Sequence, residues 1–202
     1  MKLTIIGASG HGKVVADIAL RNGYDEIEFL DDDETRASCG RFAVVGKSER
    51  AFSADGDVFV AIGNPVVRER VLDALLDAGR RIPVLIHPDA VVADDVCLGD
   101  GTVVMAGAVI NPGAEIRKGV IVNTCASVDH DCTVEDYVHI AVGAHLAGTV
   151  HVGQRTWIGI GAVVRNNMTV AADTVIGAGA VVVKDILEKG TYVGVPARRI
   201  KP

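Results

Sequence analysis

From Ile86 to Val182 every sixth residue is aliphatic, and few folds can accommodate that beat. The series runs Ile86, Val92, Leu98, Val104, Ile110, Ile116, Val122, Val128 and Val134. It continues through Ile140, Leu146, Val152, Ile158, Val164, Val170 and Ile176 to Val182 without a miss. Two places before each of these stands a small or compact residue, such as Ala90, Thr102, Ala108, Ala126, Cys132, Ala144, Ala162 and Ala180. A period of six matches neither the 3.6 of a helix nor the 2 of a simple strand. It is the mark of a parallel β-helix, in which each hexad makes a short strand and a corner. Three hexads close one triangular coil, with the aliphatic and the small residue filling its interior. Gly99, Gly153, Gly159 and Gly177, with Asn111 and Asn123, follow the aliphatic position directly. These are the predicted places for a backbone turning through positive φ.

The repeat divides the chain. Residues 85–202 form the β-helix and its tail, and residues 1–84 remain for a small core of their own. Lys2 to Ile6 reads as a buried strand running into the glycine loop Gly7-Ala8-Ser9-Gly10-His11-Gly12. A helix over 13–22 follows, with Val14, Val15, Ile18 and Ala19 at helical spacing and Gly23 as its cap. Further strands are expected over 26–30, 42–45 and 58–62. Asn64 and Pro65 then suit the N-cap and first position of a second helix, whose expected face is Val67, Val71, Leu75 and Ala78. Strand, glycine loop, helix and strand in this order predict a Rossmann-like domain with a parallel sheet.

Composition narrows the partners. A formal charge of −6 with no basic run argues against nucleic acid. No segment reaches the ~20 apolar residues of a membrane span, and Met1-Lys2 leads straight into a strand with no signal-like region. The four cysteines lack CxxC spacing, and Cys132 sits at an interior position of the repeat. Together these point to a reducing, cytoplasmic setting.

Three loops, at Gly7–Gly12, Asp31–Asp33 and Gly63–Asn64, all follow strands. They therefore share the carboxyl edge of a parallel sheet, where α/β ligands bind. Helix-start amides there suit phosphate, and paired carboxylates suit hydroxyls or a base N–H. In the repeat, His130 is flanked by Asp129 and Asp131. A carboxylate on one ring nitrogen fixes the tautomer and leaves the other to accept a proton, so His130 is the candidate general base. His139, His145 and His151 each end a hexad, and the last two read as solvated surface residues. His130 and His139 are nine residues apart, half of an eighteen-residue coil, which puts them on different sides of one prism.

The ordered set GASGHG, FLDD, AIGN, VNTCASVDHDC, VHIAVGA and GVPARR resembles the nucleotide-amino-sugar N-acetyltransferases of bacterial glycan synthesis. These belong to the hexapeptide-repeat acyltransferases, with sialic-acid O-acetyltransferases as near relations. The resemblance implies a left-handed prism and a homotrimer with active sites between subunits. It implies acetyl-CoA as co-substrate and no metal. The acceptor would be a UDP- or GDP-linked 4-amino-4,6-dideoxy sugar. Position by position, Ser9, Gly10, His11, Asp31, Asp32 and Gly63 would hold the sugar nucleotide, and Asn123 would lie near the acceptor sugar. His130 would be the base and Asp131 its carboxylate partner, with Asp129 the other candidate for that role. His139, Gly148, Ile160 and Ala178 would contact acetyl-CoA, and Arg198 and Arg199 its phosphates. Three other readings compete. Sialic-acid O-acetylation is one, and a non-catalytic sugar-nucleotide sensor is another. The third is a zinc carbonic anhydrase, whose expected pair of histidines five residues apart is missing here, where the spacings are nine, six and six.

Overall fold

The computed structural model describes residues 1–200. The chain divides into two compact units, Met1–Pro88 and Asp89 onward.

In the first unit, three parallel strands lie in the order β2-β1-β3, where β1 is Lys2–Ile6, β2 is Glu26–Leu30 and β3 is Asp57–Val60. Central β1 is buried from Leu3 to Ile6, as a strand covered on both faces requires. Helix α1 (Gly10–Arg21) begins inside the glycine loop, three residues earlier than expected, because Ser9 caps it and accepts a bond from Gly12 N. A Cβ at Gly12 would stand 2.2 Å from Gly7 O, so only glycine lets the helix start this close to β1. Helix α2 (Pro65–Asp77) is capped by Asn64, whose Oδ1 accepts from Val66 N and Val67 N at 3.0 and 3.1 Å.

Two expectations need correction here. The apolar stretch at 42–45 does not join the parallel sheet. Phe42–Ala43 pairs antiparallel with Ser38–Cys39 across a turn at Gly40, leaving only a single parallel bridge from Val44 to Phe29. The buried face of α2 is Arg68, Leu72 and Leu75, with Val67 and Val71 half-buried at its edge and Ala78 exposed. The face turns because Arg68, 1% exposed, donates from Nη1 to Ile62 O and Gly63 O at 2.8 Å each. Those carbonyls lie in the loop that follows β3, and a guanidinium can satisfy both from inside the core.

The second unit is a parallel β-helix with three faces. The first carries Val91–Val92, Val109–Ile110, Ser127–Val128, His145–Leu146, Val163–Val164 and Val181–Val182. The second carries Cys97–Leu98, Glu115–Ile116, Thr133–Val134, His151–Val152 and Thr169–Val170. The third includes Val103–Val104, Ile121–Val122, His139–Ile140, Trp157–Ile158 and Val175–Ile176, ending in Thr191–Val193 and antiparallel Arg198–Arg199. Neighbouring strands pair eighteen residues apart, as Ser127 with His145. From Val104 to Val182 no aliphatic of the six-residue series is more than 2% exposed. Polar members of the small series are bonded where they are buried: Thr102 Oγ1 donates to Arg117 O at 2.8 Å and Thr156 Oγ1 to Ala171 O at 2.9 Å.

The corners overturn one expectation. Gly99, Gly153, Gly159, Gly177, Asn111 and Asn123 do not adopt positive φ. The left-handed residue comes three places after the aliphatic, at Gly101, Gly107, Gly113, Gly119, Gly143, Gly161 and Gly179. Non-glycine residues take the same place in the other coils: Cys125, Asp131, Tyr137, Thr149, Arg155, Asn167 and Asp173, with φ of 55–60°.

Candidate active site

His130 stands two residues past interior Val128, on the corner that leaves the first face. Its Nδ1 lies 2.8 Å from Asp131 Oδ2. That hydrogen bond, joined by the charges of Asp129 and Asp131, raises the imidazole above its ordinary 6.5. Asp129 is placed differently. Its Oδ1 accepts from His130 N at 2.8 Å and from Asn111 Nδ2 at 2.7 Å, and the Asn111 bond above all holds its carboxyl below the usual range. One carboxylate therefore orients the ring and the other pins the backbone beneath it. With Nδ1–H donated to Asp131, Nε2 carries the lone pair. The side chain is 58% exposed, so the ring is open to solvent. Cys132, two residues on, is fully buried and donates from Sγ to Ala147 O at 3.2 Å. It packs the interior, as its register predicts.

A second group gathers on the third face. His139 is not a corner residue but the outward residue of a strand, and it is only 6% exposed. Its Nε2 lies 3.0 Å from Asn123 Nδ2, and its ring packs against Trp157 at a tilt of 48° with centroids 4.2 Å apart. Asn123 Oδ1 accepts from Thr124 N, which turns the amide so that Nδ2 faces the imidazole. An amide nitrogen is only a donor, so in this arrangement Asn123 donates to His139 Nε2. Exposed Ile160 and Ala178 stack one coil apart on the corner leaving this same face, with Gly179 N donating to Ile160 O. Arg198 and Arg199 close the same sheet. Arg199 is held by Glu188 at 2.7 Å and by Lys189 O at 3.0 Å, whereas among the described residues the Arg198 side chain bonds its neighbour Ala197 O. Gly148 belongs elsewhere, on the corner of His130 in the next coil. One chain thus collects His130, Asp131 and Gly148 on one edge, and Asn123, His139, Ile160 and Ala178 on another.

Two surface histidines have partners as well. His145 Nδ1 is 2.8 Å from Ser127 Oγ, and His151 Nε2 is 3.3 Å from Glu135 Oε1. Among the described residues no group of three or more His, Cys, Asp or Glu could hold a metal ion.

In the first unit a cavity of about 250 Å³ opens at the carboxyl edge of the sheet, lined by Gly7, Asp31, Asp32, Ile62, Val67 and Arg70 among others. Asp31 spends Oδ2 on Ala8 N at 2.7 Å and Oδ1 on Asp33 N at 2.9 Å. Asp32 holds Ser48 through N and Oγ, which lowers its carboxyl. Both aspartates tie loops together, yet a carboxylate has about four acceptor positions, so each keeps some for a ligand. Beside the loop, burial, reinforced by the Arg68 charge, drops His11 to about 4, so its ring is neutral at pH 7. Its Nε2 is buried with no hydrogen-bond partner. Arg70 is the residue that sequence reading missed here. It falls three places after Val67 and one before Val71, on the helix face turned to the cavity. Trp157, against His139, and Gly113, where a Cβ would lie 2.6 Å from Asp131 Oδ1, were missed because their partners are one coil away.

Comparison with known proteins follows the same division. Residues 2–75 match the family described as the PglD N-terminal domain. A GDP-perosamine N-acetyltransferase of Escherichia coli O157:H7 is 34% identical over 106 residues, which are 52% of this chain and 48% of that protein. The match spans about half the length of the curated relatives. Among solved structures, the acetyltransferase domain of PglB from Neisseria gonorrhoeae FA1090, in complex with acetyl coenzyme A, is 45% identical. It covers 98% of each chain with a TM-score of 0.95. Perosamine N-acetyltransferase from Caulobacter crescentus, a histidine-to-asparagine mutant with CoA and GDP-perosamine, is 38% identical at a TM-score of 0.95. That match covers 100% of this chain and 98% of the other.

Proposed function

Because the chain belongs to the nucleotide-amino-sugar N-acetyltransferases of the hexapeptide-repeat class, we propose that it acetylates the 4-amino group of a UDP- or GDP-linked 4-amino-4,6-dideoxy sugar, with acetyl-CoA as donor. The observation that carries the reading is the His130–Asp131 pair at 2.8 Å, an exposed imidazole whose Nε2 is kept basic. The sugar amine attacks the thioester carbonyl, forming a C–N bond as His130 Nε2 takes a proton from the nitrogen. The tetrahedral oxyanion collapses, the C–S bond breaks, and CoA leaves as the thiol after receiving a proton. No acyl-enzyme is required, and Cys132 is too buried to form one.

Asn123 lies near the acceptor sugar, and His139, fixed by Asn123 and Trp157, touches acetyl-CoA near its thioester. Ser9, Gly10, His11, Asp31, Asp32 and Gly63 hold the nucleotide at the sheet edge, with Arg70 as an added cation in that cavity. Ile160, Ala178 and Arg198 follow the pantetheine arm and phosphates. The two functional groups sit on different edges of one prism, which favours a homotrimer whose sites combine two chains. No helix among the described residues is long and apolar enough to cross a membrane, and acetyl-CoA and nucleotide sugars are cytoplasmic substrates, so the protein acts there.

Thiol release tests the reading directly. Acetyl-CoA is offered with a panel of UDP- and GDP-4-amino-4,6-dideoxy sugars and with free sialic acid. Turnover with a nucleotide amino sugar is expected. Turnover with sialic acid alone would replace N-acetylation by O-acetylation.

A further inference from the structure

The catalytic pair is built across three consecutive coils, and the residues it leans on have no side chains. A Cβ placed on Gly148, one coil beyond His130, would lie 2.4 Å from Nε2, 2.6 Å from Cε1 and 3.0 Å from Cδ2 of the His130 ring. On the opposite side, a Cβ on Gly113 would lie 2.6 Å from Asp131 Oδ1. The imidazole therefore rests on the bare α-carbon of one neighbouring coil while its carboxylate partner rests on that of the other. The coils cannot separate to make room. Thr149 N donates to His130 O at 2.8 Å, Asp131 N to Pro112 O at 3.1 Å, and Asn167 N to Gly148 O at 3.0 Å.

The two glycines differ in one useful respect. Gly113 needs its φ of +73°, so any side chain there strains the backbone as well. Gly148 does not adopt positive φ, although it is buried. Its backbone does not require glycine, and what demands one is the ring lying over it.

We propose that Gly148 is a positioning residue for the general base: its missing side chain is the seat that keeps the His130 imidazole in line with Asp131. This rests on His130 being the base, and goes beyond a cofactor contact at position 148. A methyl group there pushes the ring, which is exposed and free to swing, off the Asp131 carboxylate. The ring then loses the bond that fixes its tautomer and raises its basicity.

Gly148→Ala in the full-length protein tests this, because it keeps the backbone N–H and adds one methyl. The first readout needs no substrate: the His130 ring protons are followed by NMR across pH. In the wild type the titration midpoint lies above 6.5, and in Gly148→Ala it moves down toward that value. The second readout is kinetic. The kcat is expected to fall by about 10²-fold, the usual cost of a displaced catalytic group, while CoA affinity by calorimetry stays unchanged. A Gly148→Ala protein that binds CoA more weakly, with His130 titrating as before, makes Gly148 a cofactor contact only and overturns the proposal. If Gly148→Ala does not fold, Gly148→Ala combined with His130→Ala decides the matter. A folded double variant traces the failure to the ring, and an unfolded one overturns the seat. Inactivity of the wild type on every nucleotide amino sugar would sink the acetyltransferase reading while leaving the titration result standing.

Discussion

At His130 two carboxylates flank one ring, and they are not equivalent. Asp131 reaches Nδ1, whereas Asp129 is occupied by Asn111 and the His130 amide. Nothing in the tripeptide Asp-His-Asp distinguishes them, since either neighbour can fold back on the ring. The backbone decides: Asp131 is the corner residue with φ of 57°, and that turn swings its carboxylate beside the imidazole. The pH consequence has a definite sign. A raised imidazole stays protonated to higher pH, and only the neutral form accepts a proton, so the acid limb of kcat/KM, which reports the free enzyme, is expected above pH 6.5. Asp131→Asn removes the bond that raises it. The acid limb is then expected to shift to lower pH, with a kcat loss smaller than the ~10²–10⁴-fold of removing the base itself. Asp129→Asn removes only a nearby charge and not the hydrogen bond, so it is expected to move the limb in the same direction by less. A pH profile in which Asp129→Asn moves the limb and Asp131→Asn does not would reverse the assignment.

At the scale of the single coil, interior and corner obey different rules. The interior was legible because burial selects side chains: an aliphatic every sixth residue can only point inward. The corner was not, because its left-handed residue is imposed by the path of the chain. Seven of these positions hold no glycine, and of those seven only Asn167 is an asparagine, so the usual signals of a left-handed residue do not mark the series. Thr149 is the extreme case, a β-branched residue at φ 59° and exposed. Asparagine tolerates that region better. Relief of ~1 kcal/mol of strain predicts that Thr149→Asn melts about 2–4 °C higher, measured by calorimetry. An unchanged or lower melting temperature would mean that the coil stacking has already relaxed the strain. The same contrast explains the misjudged elements of the first unit. Helical spacing predicted α2 correctly, but its buried face includes Arg68, which a hydrophobic pattern passes over. The 42–45 stretch has strand composition yet turns at Gly40 into a hairpin. In the site, His130 stood out by its acidic neighbours, whereas the Gly148 and Trp157 contacts are eighteen residues from their partners and leave no local trace.

For the whole molecule, the proposed site asks residues on two edges of a rigid prism to serve one reaction. His130 lies on the corner leaving the first face and His139 in a strand of the third, and the hydrogen-bonded coils fix both. No rotamer change carries one around the prism to the other. A second chain presenting its third face to the first chain's His130 corner meets the need, and a closed cyclic trimer repeats that contact three times. Mixed trimers test it. His130→Ala and His139→Ala are each expected to be poorly active, and they are unfolded and refolded together in equal amounts. At each interface the base-supplying chain is intact half of the time, and so, independently, is the chain supplying His139. Roughly one site in four then carries both histidines, as independent assortment in a cyclic trimer requires. Thiol release should recover to about a quarter of the wild-type rate, while either variant refolded alone stays at its own low level. If mixed trimers form, as seen by native mass spectrometry, and the rate is only the average of the parents, the two histidines do not meet in one site across an interface. The acetyl group would then have to be delivered along a single prism, and the role of His139 near the thioester would pass to a residue on the His130 edge.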